Sequence, residues 1–161
     1  MNLQQLFNMQ KELDAFIEQT QNIQHDVFQE KGLALLVELA ELANETRCFK
    51  FWSTKGPSER EVILEEYVDS IHFILSLGLL KGYTSIETWP ISAEKRNLTE
   101  LFLETQKAIL LFIEKPTENQ YTTIWQYYGL LAYNLDFTFD DVVSAYLEKN
   151  KENYKRQQSG Y

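Results

Sequence analysis

The sequence is poor in residues that interrupt or cross-link a chain. Its 161 residues include three prolines, six glycines and one cysteine. Proline and glycine are the residues that disfavour helices most strongly, so their scarcity favours long helices. The single cysteine, Cys48, cannot form an intramolecular disulfide, and we therefore expect a protein of the reducing cytoplasm.

Long apolar segments are also missing. The longest nearly apolar run, from Ile71 to Leu80, contains His72 and is too short to cross a bilayer. The first residues, MNLQQLFNMQKEL, lack the basic region followed by an apolar region that a signal peptide needs. The sequence therefore predicts a protein that is neither secreted nor embedded in a membrane.

Basic residues are scarce. Fifteen Lys and Arg face twenty-four Asp and Glu, for a net charge of −9. This charge disfavours non-specific binding to nucleic acid or to an anionic membrane. It leaves room for a small polyanion if metal ions and local basic residues supply positive charge. Four basic residues do lie close together near the C-terminus, where a solvated charge run is the alternative interpretation: Lys149, Lys151, Lys155 and Arg156.

The apolar residues recur at helical spacing along the whole chain. We predict an all-α fold, a bundle of about five to six helices forming a single domain over residues 1–161. The predicted helices span residues 2 to 24, Gly32 to about Phe51, Ser58 to about Leu80, 93 to 114, 118 to 134, and Thr138 to about Tyr154. Ser58 with Glu61, and Thr138 with Asp141, have the spacing of capping boxes, and Lys81-Gly82-Tyr83 is a predicted helix end.

Two pairs of acidic residues stand inside apolar stretches. Glu38 and Glu41 lie within LALLVELAELA, and Glu66 and Asp69 precede SIHFILSLGLL. Residues three apart share a helix face, and a short turn makes the two predicted helices antiparallel neighbours, so the four carboxylates should converge. Two carboxylates roughly 4 Å apart repel by about 4 kcal/mol at an effective dielectric constant of about 20. The cluster therefore predicts bound cations, and all-oxygen ligands favour Mg²⁺ or Mn²⁺.

Such a cluster is typical of a two-metal site for phosphoryl or pyrophosphoryl chemistry, in which the metal activates a water molecule. Three alternatives stay open. A single E-x-x-E is usually a solvated surface. A di-iron bundle would need E-x-x-H on two helices, and the nearest match is Asp69-Ser-Ile-His72. The third alternative is a helical interaction protein whose acidic face binds a partner.

Several stretches resemble one known family. They are MQKELD (Met9 to Asp14), ELAELANETRCFKFW (Glu38 to Trp52), EYVDSIHF (Glu66 to Phe73) and KNKENYKRQQSGY (Lys149 to Tyr161). The sequence resembles the dimeric, all-α dUTPases, relatives of the MazG-like nucleotide pyrophosphatases, and the tail pattern narrows the match to the dUTPase branch. The match leaves out residues 84–137, which look like a compact form of the family's variable insert. Residues 149–161 look like a basic tail that closes over the substrate.

The resemblance implies hydrolysis of dUTP, and of dUDP, to dUMP by a homodimer. It implies that Mg²⁺, with Mn²⁺ as a substitute, is held by the four carboxylates, and that Glu38 orients the attacking water. A broader nucleotide pyrophosphatase acting on dCTP or damaged nucleotides is the nearest alternative. Some phage members bind repressor proteins, so a partner of that kind is also an expectation.

The resemblance also assigns substrate contacts. Gln10 looks like the family's uracil-reading glutamine, and Asn150 should reach the base. Trp52 and Phe73 look like the aromatic residues that close around the base and the sugar, and His72 is a further substrate contact. The residues that look like phosphate or lid contacts are Lys50, Lys149, Asn153, Arg156 and Tyr161. Asp14 departs from the pattern, because some members carry asparagine there, and an aspartate cannot donate as an amide does.

Overall fold

The computed structural model describes residues 2–90 and 92–160, and in these ranges all the regular structure is α-helical. This confirms the predicted all-α class, and the number of helices in these ranges is six, the higher of the two predicted values. The six helices are α1 (Leu3–Thr20), α2 (Phe28–Thr46), α3 (Arg60–Lys81), α4 (Leu98–Glu114), α5 (Glu118–Asn134) and α6 (Phe139–Gln158).

Helix α3 lies at the centre of the bundle. It packs most extensively against α2, and it also contacts α1 and α6, while α4 pairs with α5 and leans on α2. Its glycine, Gly78, makes room for the side chain of Tyr121 from α5, because a Cβ atom there would overlap the Tyr121 hydroxyl oxygen. That hydroxyl donates to the carbonyl of Ile74 at 2.9 Å. The polar groups of the buried aromatic residues thus help to fix α5 against α3.

Predicted boundaries of three helices are confirmed. Helix α5 spans the predicted residues 118–134. Gly82 ends α3 in the left-handed conformation, at φ 74°. Thr138 and Asp141 form the predicted capping box at the start of α6.

The predictions for the two helices that carry the acidic residues were wrong at three ends. Helix α2 begins at Phe28, before Gly32, and it stops at Thr46 because Arg47 adopts a left-handed φ of 57°. The segment up to Phe51 therefore forms turns. Ser58 caps no helix: its hydroxyl donates to the carboxylate of Glu45, and α3 starts at Arg60.

The remaining differences are shifts of helix ends. Helix α1 ends at Thr20 and not near residue 24. Helix α4 starts after Asn97 and not at residue 93, because the Asn97 side chain accepts a hydrogen bond from the backbone N–H of Glu100 and caps the helix there. Helix α6 continues to Gln158, beyond the predicted end near Tyr154. Within the described ranges, none of the helices combines the length and apolar character that a membrane span requires.

Candidate active site

A cavity of about 440 Å³ opens between α1, α2, α3 and α6. Apolar side chains from α1 and from the α1–α2 connection, among them Leu13, Ile17 and Val27, form one wall. Predicted site residues form much of the rest: Gln10, Asp14, Glu38, Asp69, His72, Phe73, Lys149, Asn153 and Arg156. A pocket that combines an apolar wall with convergent polar groups is typical of a small-molecule site.

Three of the four predicted carboxylates lie together, and two of them, Glu38 and Asp69, line this cavity. Glu38, Glu66 and Asp69 each offer one carboxylate oxygen, and these oxygens lie within 4.8 Å of one another. Glu41 is exposed at the edge of the cluster, and its charge acts on both Glu38 and Glu66. The acids of α2 and α3 therefore converge, as their spacing in the sequence predicts.

The cluster raises the pKa values of its own members. Burial, followed by the charges of Asp69 and Glu41, raises the pKa of Glu38 to about 8. Burial and the charges of Glu41 and Asp69 raise the pKa of Glu66 to about 7. Burial also raises the pKa of Asp69, although Lys149 opposes this shift. Each charged form is therefore costly without a compensating cation.

Lys149 supplies one positive charge from α6. Its Nζ lies 2.8 Å from the carboxylate of Asp69 and 2.8 Å from that of Glu65. The lysine side chain is 9% exposed and that of Asp69 is 19% exposed, so this pair is largely shielded from water, whereas Glu65 is mostly exposed. One ammonium beside several acids leaves an excess of negative charge. An all-carboxylate set of this kind fits Mg²⁺ or Mn²⁺.

A second group of polar residues surrounds Gln10 in the same cavity. The amide nitrogen of Gln10 donates to Asp14 Oδ1 at 2.8 Å. Its oxygen lies 2.8 Å from His72 Nδ1 and accepts the Tyr146 hydroxyl at 2.9 Å. His72 also stacks on Tyr146, with ring centroids 4.2 Å apart. Gln10 is thus held on both sides by neighbouring side chains.

Asp14 has partners that an asparagine could not use in the same way. Its Oδ2 accepts the Lys31 ammonium at 3.2 Å and the Ser76 hydroxyl. Lys31 in turn donates to Ser76 Oγ at 2.6 Å. Asp14 of α1 is therefore joined to α2 by an ion pair with Lys31 and to α3 by a hydrogen bond with Ser76.

Two buried polar atoms near Gln10 have no hydrogen-bond partner within the part of the chain that the structure describes. They are His72 Nε2 and Asn150 Nδ2. Burial lowers the pKa of His72 to about 3, so its ring is neutral at physiological pH. A buried polar atom without a partner is costly, and such atoms often belong to ligand sites.

The basic tail is largely helical. Residues 149–158 belong to α6, and Lys149, Asn153 and Arg156 follow one another at intervals of four and three on the face that lines the cavity. Arg156 also contacts Glu152 at 2.5 Å. Tyr161 lies outside the described residues. The predicted basic contacts thus come from a helix face, at least as far as Gln158.

Two predicted contacts lie apart from this cavity. Lys50 and Trp52 belong to the turns after α2, and neither lines it. Trp52 is 65% exposed and packs edge-on against Phe49 and Phe51. Lys50 lies over the ring of Phe49.

Sequence reasoning missed Lys31, Ser76 and Tyr146. Helical spacing could have found each of them, because Lys31 precedes Glu38 by seven residues, Ser76 follows His72 by four, and Tyr146 precedes Asn150 by four. Lys31 lies just before the predicted start of the second helix at Gly32, whereas α2 starts at Phe28.

A helical bundle with a carboxylate cluster beside a cavity of mixed polar and apolar lining has the features of a small-molecule site whose acids could hold a cation. The model of a protein family described as dUTPase matches residues 2–161. The chain therefore belongs to the dUTPase family, which confirms its resemblance to the dimeric, all-α dUTPases, and it is an enzyme that hydrolyses dUTP, a dUTP diphosphatase. The comparison with curated proteins gives no match.

Proposed function

We propose that the enzyme hydrolyses dUTP, and also dUDP, to dUMP in a Mg²⁺-dependent reaction, releasing pyrophosphate or phosphate. The observation that carries this proposal is the convergence of Glu38, Glu66 and Asp69 within 4.8 Å beside a cavity of nucleotide size. The cluster has the charge to hold divalent cations, and the cavity has the polar groups to hold a base.

In this proposal the acids have two roles: they bind the cation, and one of them orients the attacking water. Glu38, Glu41, Glu66 and Asp69 hold the cation, which when bound would neutralise phosphate oxygens and lower the pKa of a water molecule. Mn²⁺ can substitute, because it accepts the same oxygen ligands. Glu38 is our choice for the residue that orients the attacking water, because it borders the cavity and its pKa is raised to about 8.

The rest of the cavity binds the nucleotide. His72 contacts Gln10, and both line the cavity together with Phe73, so we assign the base to this group. Asn150 is not part of the lining, but it lies one helical turn after Tyr146, a hydrogen-bond partner of Gln10, on α6. Lys149, Asn153 and Arg156 face the acids from α6, so we assign the phosphates to that end. We also retain phosphate or lid contacts for Lys50 and Tyr161, and aromatic closure around base and sugar for Trp52. For Lys50 and Trp52, this requires a contribution from a second subunit or movement of the turns after α2.

We further propose that the enzyme is a homodimer. An apolar face is exposed on α2 and α4, where Val37 is 47% exposed and Leu103 is 63% exposed. A groove of about 220 Å³ lined by residues of both helices, including Leu36 and Phe102, runs beside it. Apolar patches of this kind mark protein interfaces, and a second copy is the occupant that the resemblance implies. A cytoplasmic location, a relation to MazG-like enzymes and a repressor-type partner stay predictions.

The direct test is a panel of nucleotides. Release of pyrophosphate from dUTP in the presence of Mg²⁺ should far exceed release from dCTP, dTTP and UTP, and it should stop when the metal is chelated. Equal rates across the panel would favour the broader pyrophosphatase. Substantial turnover with chelator would remove the metal from the proposal.

A further inference from the structure

The hydrogen-bond directions around Gln10 follow from the chemistry of its neighbours. Asp14, paired with Lys31 at 3.2 Å, is a carboxylate and can only accept. The Gln10 atom that faces Asp14 must therefore be the amide nitrogen, which donates at 2.8 Å. The opposite atom of the amide is then the oxygen, which needs donors.

This orientation fixes the tautomer of His72. The Gln10 oxygen lies 2.8 Å from His72 Nδ1, and an amide oxygen can only accept, so Nδ1 carries the proton. The neutral ring then has its lone pair on Nε2. The hydrogen bond made by one ring nitrogen sets the role of the other, and here Nε2 becomes an acceptor.

The free acceptor belongs to a residue that lines the cavity, and the Nε2 atom itself is buried. His72 is 6% exposed, and its Nε2 has no hydrogen-bond partner in the ranges 2–90 and 92–160. A buried acceptor without a partner calls for a ligand that donates. The imide of uracil has a donor at N3, whereas cytosine has an acceptor at the same position. An acceptor on the protein therefore favours uracil and opposes cytosine.

We propose that His72 Nε2 accepts the N3–H of uracil, and that Asp14 is a positioning residue that sets this tautomer through Gln10. The inference rests on the proposed function for its substrate. It explains the aspartate at position 14: the carboxylate can face only the nitrogen of Gln10. An asparagine would permit either orientation of the Gln10 amide, and with it either tautomer of His72.

The experiment combines Asp14→Asn with a matched control, Ser76→Ala. Asp14→Asn should lower the dUTP to dCTP ratio of kcat/KM by about tenfold or more, because the reversed amide turns Nε2 into a donor for some molecules. Ser76→Ala removes a hydrogen-bond donor of Asp14 but keeps the carboxylate and its ion pair with Lys31, so it should leave the ratio near that of the wild type. If Asp14 had a purely structural role, Asp14→Asn would lower kcat/KM for dUTP and for dCTP by the same factor. An unchanged ratio of the two values would overturn the inference.

Nuclear magnetic resonance supplies a readout that needs no turnover. The ¹⁵N shifts of His72 should report a proton on Nδ1 and a lone pair on Nε2 in the wild-type enzyme. Addition of dUMP should move the Nε2 signal towards that of a hydrogen-bonded nitrogen, and dCMP should move it much less. A proton on Nε2, or equal responses to dUMP and dCMP, would overturn the inference. If instead the wild type hydrolyses no dUTP, the proposed function fails while the tautomer is still read.

Discussion

The ammonium of Lys149 lies 2.8 Å from the carboxylate of Asp69, so the acid cluster of α2 and α3 already contains a positive charge from α6. The same ammonium also contacts Glu65 at 2.8 Å. A protein that gathers acids around a phosphate site must keep them together before the metal arrives. The lysine offsets part of that repulsion, and it couples the basic helix to the metal end of the site.

Removal of a single carboxylate from the cluster should abolish most of the activity. For Glu38→Gln and Asp69→Asn we expect kcat/KM for dUTP to fall by more than about 100-fold, since a direct ligand should matter at least as much as an outer-shell partner. Helical content, measured by circular dichroism, should stay near that of the wild type. Glu114→Gln, at an exposed position, is the control, and near-normal activity in either cluster variant would show that the site is misplaced.

The metal-free enzyme should lose stability as the pH rises. The pKa of Glu38 is raised from 4.5 to about 8, so the folded state binds protons that the unfolded chain has released. The free energy of unfolding should therefore fall between about pH 4.5 and pH 8. Saturating Mg²⁺ should remove most of this decline, because it takes the place of the protons. Urea titrations at several pH values, with and without Mg²⁺, would measure both effects, and stability that rises through this window without metal would contradict the assigned shift.

Lys149→Met should separate metal binding from substrate binding. At pH 9, where the carboxylates are ionised, loss of the ammonium leaves the cluster more negative, so Mg²⁺ should bind more tightly in calorimetry. The KM for dUTP should rise, because the phosphates lose a cation. Lys151→Met, at an exposed position on the same helix, should change neither value. Weaker Mg²⁺ binding by Lys149→Met at this pH would mean that the lysine organises the acids rather than competing with the metal.

The homodimer proposal makes a prediction about mass. Val37→Glu or Leu103→Glu places a charge on the exposed face of α2 and α4, and sedimentation should then show a monomer where the wild type shows a dimer. Leu80→Glu, on the exposed side of α3, is the matched control and should stay dimeric. A dimer that survives both substitutions would move the interface to another face.

Helical spacing in the sequence was enough for the fold class and for the meeting of the acids. Glu38 meets Glu66 and Asp69 because residues three apart share a helix face and α2 packs against α3, although the connection, residues 47–59, is longer than the short turn that the sequence predicts. The errors were local. Ser58 has the spacing of a capping residue with Glu61, but Glu45 from α2 takes its hydroxyl, and no local pattern encodes that tertiary contact.

The partners of Gln10 show a second limit of the sequence. The glutamine was identified by resemblance, but its orientation depends on Asp14, His72 and Tyr146, which come from three helices. Spacing within one helix shows which residues share a face. It does not show which residues of another helix meet that face, so the ion pair of Asp14 with Lys31 became visible only in the structure.

The central claim is that the α2 and α3 carboxylates share a divalent cation, and an anomalous scattering map tests it most directly. Crystals grown with Mn²⁺ and a non-hydrolysable dUTP analogue should show a metal peak about 2.1 Å from oxygens of Glu38, Glu66 and Asp69, as expected for a cation of this class. The peak should be absent from Asp69→Asn crystals grown in the same way. Analogue bound in the cavity of the wild-type enzyme with no metal peak among these three carboxylates would contradict the account.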